Sequence, residues 1–244
     1  MSLPIPYPER NLTDSEQGAG RDEASLRSLL CHIGRQLHDA AWLSGMGGSL
    51  SARLDTAHFL LTPPDLAKGF LQPDQLLKVT LEDALNAHNG EARLHALCYR
   101  QRADLNGILF TTPPNAIALT LANISMRTCV LPEAIILLGL VPTAAYSAPF
   151  SPEQCEAIRL LIAQHDALLI AHSGALTAGS DLWEAFLRME VLEHTASVLR
   201  RAAQLAPLPT LPPHEVARLL SIRRQRGYWR EGDAERFCQM CGVC

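Results

Sequence analysis

The stretch Glu91-Ala92-Arg93-Leu94-His95-Ala96-Leu97-Cys98-Tyr99-Arg100-Gln101-Arg102-Ala103-Asp104-Leu105 runs directly into Asn106-Gly107-Ile108-Leu109-Phe110-Thr111-Thr112-Pro113-Pro114-Asn115-Ala116-Ile117-Ala118-Leu119. In its first half Leu94, Leu97, Cys98 and Gln101 recur at helical spacing, with polar residues opposite them. Gly107 to Phe110 is a short apolar run of strand length. It ends at Thr111-Thr112-Pro113-Pro114, and Thr followed by Pro starts a helix well, because Pro at the first position needs no N–H partner. The order is therefore helix, strand, helix, with a sharp corner at 110–114. Such corners are common places for chemistry.

This corner resembles that of the class II aldolase/adducin family, which reads His-x-His-Pro-Pro after a helix that opens with Glu and carries His four residues on. Glu91 and His95 match that helix, and Pro113-Pro114-Asn115-Ala116 match the one after the corner. Phe110 and Thr112 stand in the places of two metal-binding histidines. A second match covers Asp166 to Gly179, where the family has an apolar run, Asn-His-Gly and a strand ending in Gly. Matching Gly174, Thr177 and Gly179 puts His172 on the Asn and Ser173 on the third metal histidine. A one-residue slip turns a side chain to the other face of a strand, so His172 does not simply take that ligand's place.

Other segments continue the likeness. Gly47-Gly48-Ser49-Leu50-Ser51-Ala52-Arg53 is a glycine turn feeding a strand, with hydroxyl and N–H groups able to face an anion. It resembles the family's Gly-Asn-x-Ser-x-Arg, which helps hold a substrate phosphate or carboxylate; a plain glycine turn without a ligand is the equal alternative. At Thr62-Pro63-Pro64-Asp65 the family has Thr-Pro-Ser-Gly. Here Pro64 removes a donor and Asp65 repels an anion, which weakens a phosphate pocket. Val141 to Tyr146 is similar to the family's Pro-x-Ala-Pro-Tyr step, Ser151-Pro152-Glu153 opens a helix, and the apolar run Ala134 to Leu140 reads as a buried strand.

The resemblance covers about residues 25–205. It implies an α/β fold, a three-layer α/β/α sandwich with a central mixed, mostly antiparallel sheet. Three imidazoles hold the family's divalent metal, and Phe110, Thr112 and Ser173 do not replace them. The expectation is a disabled metal site in a repurposed or non-catalytic protein that binds a small molecule or a protein partner. The alternatives are metal-independent acid/base, lyase-type chemistry on a carbonyl substrate, and a metal-dependent aldolase with shifted ligands. Proton-handling candidates are Glu91, His95 and His172. Substrate-binding candidates are Gly48, Ser49, Ser51, Arg53, Thr62, Thr112, Tyr146 and Ser173. No cofactor is expected; a divalent metal such as zinc is the runner-up, kept open by His58, His88, His95, His165 and His172. The family resemblance also implies a homo-oligomer.

Composition sets the outer limits. The 244 residues are 48% apolar and 19% charged, which suits a globular chain able to bury a sizeable core. No apolar run is long enough for a membrane helix, and the first residues lack a basic-then-apolar export signal. A net charge of −4 argues against bulk nucleic-acid binding. Residues 1–21, with three prolines in the first eight, read as an extended arm; 22–206 form the aldolase-like domain; 207–244 hold a Pro-rich hinge, a basic helix and a Cys-rich tail. With no export signal a reducing cytoplasm is expected. Cys238-x-x-Cys241-x-x-Cys244 can reach one soft metal ion, although no fourth ligand stands nearby, and a mobile reduced tail is the plainer reading.

Overall fold

Successive strand residues point to opposite sides, and here both sides are apolar. In β2 (His58–Leu61) Phe59 and Leu61 enter one cluster and Leu60 the other. The same alternation separates Ile108 and Phe110 from Leu109 in β4 (Gly107–Thr111), and Leu168 and Ile170 from Leu169 in β6 (Ala167–Ile170). It recurs in β7 (Gly174–Gly179), where Leu176 and Ala178 oppose Ala175. A sheet that is apolar on both faces needs helices on both. On one face α1 (Glu23–Asp39), α4 (Pro114–Leu121) and α6 (Leu182–Ala202) bring Leu30, Leu119 and Leu192. On the other, α2 (Leu81–Asn86), α3 (Gly90–Gln101) and α5 (Pro152–Ile162) bring Ala84, Leu94 and Ile158.

With β1 (Ser49–Arg53), β3 (Leu77–Thr80) and β5 (Thr143–Ala144), the computed structural model has a seven-stranded sheet in the order β3-β2-β1-β4-β7-β6-β5. Every neighbouring pair is antiparallel except β5–β6. This is the expected three-layer α/β/α sandwich with a mixed, mostly antiparallel sheet. The structure describes residues 22–87, 89–126 and 129–244; the arm at 1–21 and His88 lie outside them. No described helix is long and apolar enough to cross a membrane.

Close backbone approach fixes the centre of the sheet. An ideal Cβ on Gly174 would sit 2.1 Å from the Thr111 carbonyl oxygen, across the β4–β7 pair. Neither backbone can give way without opening the ladder. Gly174→Ala should therefore destabilise the chain by about 3 kcal/mol, read as a lower urea midpoint. A midpoint equal to that of the wild type would contradict this packing.

Two expectations are corrected. Ala134–Leu138 is a π-helical turn closed by Gly139 in the left-handed region, not a strand. A short apolar run has no periodicity to tell buried helix from strand, and this one packs under α6 and the C-terminal helices. The chain end is not a mobile tail either. It forms α7 (Pro213–Gln225) and α8 (Asp233–Cys241), whose Val216, Leu220 and Phe237 bury with Ile135 and Leu140 in a third apolar cluster. Disulfides join Cys129 to Cys241 and Cys238 to Cys244, while Cys31, Cys98 and Cys155 are free thiols.

The basic helix α7 also turns one arginine inward. Arg223 is buried and meets Asp233 at 3.2 Å and the fully buried Asp166 at 3.9 Å. Asp166, beside the start of β6, also pairs with Arg102 at 2.7 Å, Arg230 at 2.9 Å and Arg188 at 3.3 Å. Burial alone would raise its pKa, but the surrounding guanidinium groups outweigh that and hold the carboxyl far below its usual range.

Candidate functional site

Asn89 starts α3 by accepting hydrogen bonds from the Glu91 and Ala92 N–H groups. That cap places Glu91 in the first turn, where the helix N-terminus favours a negative charge. The surroundings oppose it. Phe150, held in the left-handed region at φ 59°, sets its ring edge-on to Phe110, with centroids 5.7 Å apart. Its Cβ lies where a Cβ on Gly90 would stand, so glycine alone lets the aromatic pair close beside Glu91. Burial raises the Glu91 pKa to about 6, against the attraction of Lys68 and with help from Asp65. Glu91 Oε2 is buried and has no hydrogen-bond partner. An orphaned carboxylate oxygen of this kind is free to handle a proton.

Lys68 is the cation beside this carboxylate. Its ammonium donates to the Met46 and Pro64 carbonyls, and burial lowers its pKa while Glu91 and Asp65 pull it back up.

His95, one turn after Glu91, lies fully inside. Nε2 is 2.8 Å from Ser49 Oγ, Nδ1 is 2.7 Å from Ser51 Oγ, and Ser51 Oγ is 2.8 Å from the Tyr99 hydroxyl. Burial drives the imidazole down to about 3, so it stays neutral, donating at one nitrogen and accepting at the other. His95 is thus a buried tie between α3 and β1. The residues of the expected anion cradle make internal contacts as well. Ser49 and Ser51 are buried against His95, and Thr62, also buried, uses Oγ1 to accept from the Leu50 N–H. Arg53 donates to the Leu105 and Tyr99 carbonyls and stacks over the Tyr99 ring at 4.6 Å. Gly48 stands at φ 82°, and a Cβ there would meet Leu43 at 2.5 Å and the Phe110 carbonyl at 2.9 Å.

The other candidates lie around the corner. Thr112 is half-buried and donates its hydroxyl to the Trp42 carbonyl at 3.3 Å. Ser173, in the turn before β7, is half-buried and donates its N–H to Ile170. His172, at φ 59°, donates its N–H to Thr120 Oγ1 and sets its ring edge-on to Tyr146 at 5.6 Å. Tyr146 and His172 share the wall of a cavity of about 870 Å³ with Thr120, Asn123, His165 and Arg236; Glu91 and His95 are not among its lining residues. The structure therefore places His172 at this cavity and Glu91 and His95 outside its lining. His58 pairs with Asp55, and His165 sits 3.0 Å from the Leu140 carbonyl. Among the described residues no group of three or more His, Cys, Asp or Glu side chains is arranged to hold a metal ion.

Sequence reasoning passed over Asp65 as a neighbour of Glu91, Phe150, and the task of Glu193. The Glu193 carboxylate accepts from the Asn115 and Ala116 N–H groups and so caps α4 at the corner, an anion supplied by the chain itself. Its position in the long helix α6 was visible, but not which helix end it would reach.

The profile of the class II aldolase and adducin N-terminal domain matches residues 28–199. A 3-oxo-tetronate 4-phosphate decarboxylase of Cupriavidus necator is 28% identical over 183 residues, 72% of this chain and 84% of that protein. An L-fuculose phosphate aldolase of Methanococcus maripaludis is 27% identical over 171 residues, 69% of this chain and 91% of that protein. Among solved structures, YgbL of Klebsiella pneumoniae superposes with a TM-score of 0.73 at 26% identity, covering 82% of this chain and all of that one. L-fuculose-1-phosphate aldolase of Thermus thermophilus gives 0.67 at 27% identity, over 77% and 100%. With the sheet order and the Glu91 corner already described, these matches place the chain in the class II aldolase and adducin family.

Proposed function

We propose that this chain is a lyase-type enzyme that cleaves a small hydroxy-carbonyl compound by acid/base chemistry at Glu91. The observation that carries the reading is the buried Glu91 carboxyl, with one oxygen unpartnered and its pKa raised to about 6. Such a group holds both protonation states near neutral pH, as a proton handler requires. Ionised, it removes a proton from the substrate hydroxyl. The carbon–carbon bond breaks as its electron pair moves into the carbonyl, and neutral Glu91 returns the proton to the resulting enediolate carbon. Lys68 supplies positive charge beside the developing anion.

The family implies a divalent metal held by imidazoles, and the donor set at this corner does not fit one. Phe110 has no donor atom and packs on Phe150, Thr112 gives its hydroxyl to Trp42, and a serine such as Ser173 is a poor zinc ligand. The relatives' names carry a phosphate. Here Ser49, Ser51 and Thr62 are committed internally and Asp65 repels anions, which favours a carbonyl compound without one.

The test is product formation by the full chain on matched small hydroxy-carbonyl compounds with and without phosphate. Turnover of the unphosphorylated set is expected, with kcat/KM rising through about pH 6, level above it and unchanged by chelator. A profile flat through that pH, or activity that a chelator removes and a divalent ion restores, would overturn the proposal. The cavity at Tyr146 and His172 favours a second reading, a small-molecule binder. Calorimetric binding without turnover, lost in His172→Ala, would support that reading instead.

A further inference from the structure

We propose that Cys129, Cys238, Cys241 and Cys244 together form one four-thiolate site for a [4Fe–4S]-type cluster. Three of the four come from the C-x-x-C-x-x-C run. Cys238 and Cys241 lie one turn apart on α8, and therefore on the same side of it. Gly242 then takes φ 69° and ends the helix, and the chain doubles back until the Cα of Cys244 is 4.7 Å from that of Cys238. The fourth comes from 112 residues away in sequence, where the Cα of Cys129 stands 6.1 Å from that of Cys241. The structure thus supplies the ligand that the tail by itself lacks.

A C-x-x-C-x-x-C run completed by a remote cysteine is the ligand spacing of bacterial-type [4Fe–4S] clusters, whereas structural zinc sites draw their ligands from separate pairs. The surroundings suit a cluster as well. Ile135, Leu140 and Phe237 bury with Cys129 and Cys241, and Trp229 and Val243 pack against them. Such an apolar shell limits solvent access and tunes a cluster's potential. As a structural staple the second disulfide achieves little, since a link between residues six apart closes a small loop. In the disulfide state the sulfurs are bonded to each other and offer no ligands. Two disulfides become four thiolates by taking up four electrons, which a dithiol reductant supplies as it is itself oxidised to a disulfide.

The site also ties the cavity walls together. Arg236, Gln239 and Met240 of α8 face it, as do Asn123, Ile124 and Ser125 from the segment leading to Cys129. The centre is independent of the chemistry at Glu91.

The experiment is anaerobic purification of the full chain from iron-replete cells, followed by assay of iron, acid-labile sulfide and zinc and by mass counting of alkylated thiols. The expected result is about four iron and four sulfide per chain with broad visible absorption. Cys129→Ser and Cys244→Ser should lose most of both, and Cys31→Ser should keep them. Zinc in place of iron, or a metal-free protein whose four cysteines resist alkylation as disulfides, would overturn the proposal. Iron that survives Cys129→Ser would overturn it too. Should the variants fail to fold, the wild-type metal and thiol counts decide alone.

Discussion

Glu91→Gln is expected to slow turnover by about 10²–10⁴-fold, the usual worth of a positioned acid/base group, while making the folded chain more stable at pH 7. The two effects share a cause. In the unfolded chain the carboxyl titrates near 4.5, and in the folded chain near 6. Between those values the folded chain keeps a proton that the unfolded chain has released, so stability falls as pH rises through the window. Above it the ionised carboxylate stays buried at a cost of about 1–2 kcal/mol. The amide keeps the shape without the charge. At pH 7 the melting temperature of the variant should exceed that of the wild type by about 2–8 °C, and below about pH 4.5 the difference should vanish. Paired melting curves at the two pH values check this. A variant less stable than wild type at neutral pH would mean that Glu91 is a structural anion rather than a strained catalytic one.

The second large effect concerns Asp166. Asp166→Asn keeps the size and one acceptor but removes the charge that Arg102, Arg188, Arg223 and Arg230 share. Asp104, Glu184 and Asp233 still pair with individual arginines, so the loss is partial for each guanidinium and large for the group. Taking one partner from a buried ion-pair network costs about 3–5 kcal/mol. Arg223 and Arg230 help to anchor the C-terminal segment beside its apolar cluster, so hydrogen exchange should accelerate first across 213–241. The pH dependence runs opposite to that of Glu91. The folded pKa of Asp166 is depressed from 3.8, so its contribution is complete above that value and fades as acid protonates it. A midpoint within about 1 kcal/mol of the wild type would show that the clasp is neutral, as some buried ion pairs are.

Local patterns made most of the fold legible. The short apolar runs of 107–110 and 167–170 and the Pro-Pro helix start each lie within a few residues of sequence. Ala134–Leu138 was not legible, because a buried run has no polar face to betray its period. The site was read less well for a different reason. Ser49, Ser51 and Arg53 share one face of a strand, and His95 and Tyr99 share one face of a helix; both spacings can be read in the chain. That these faces meet is a long-range pairing that no local pattern contains. The same holds for Asp166 with its distant arginines and for Cys129 with Cys241. Glu91 stood out as a candidate because its spacing to His95 and to the corner is local. Its altered acidity did not, since that depends on burial in the folded chain and on Lys68 and Asp65, which lie far from it in sequence.

The clasp around Asp166 bears on how the protein is made. Arg230 follows Asp166 by 64 residues, so at ordinary translation speeds of roughly 5–20 residues per second it is synthesised about 3–13 s later. Until Arg223 and Arg230 are made, the aspartate has only Arg102 and the newly made Arg188, of the four arginines around it, to answer it. A nascent chain at that stage holds every strand of the sheet yet lacks its final lock. Ribosome-bound chains ending near residue 206 should be captured by chaperones, and release should come only once Arg223 and Arg230 have left the tunnel.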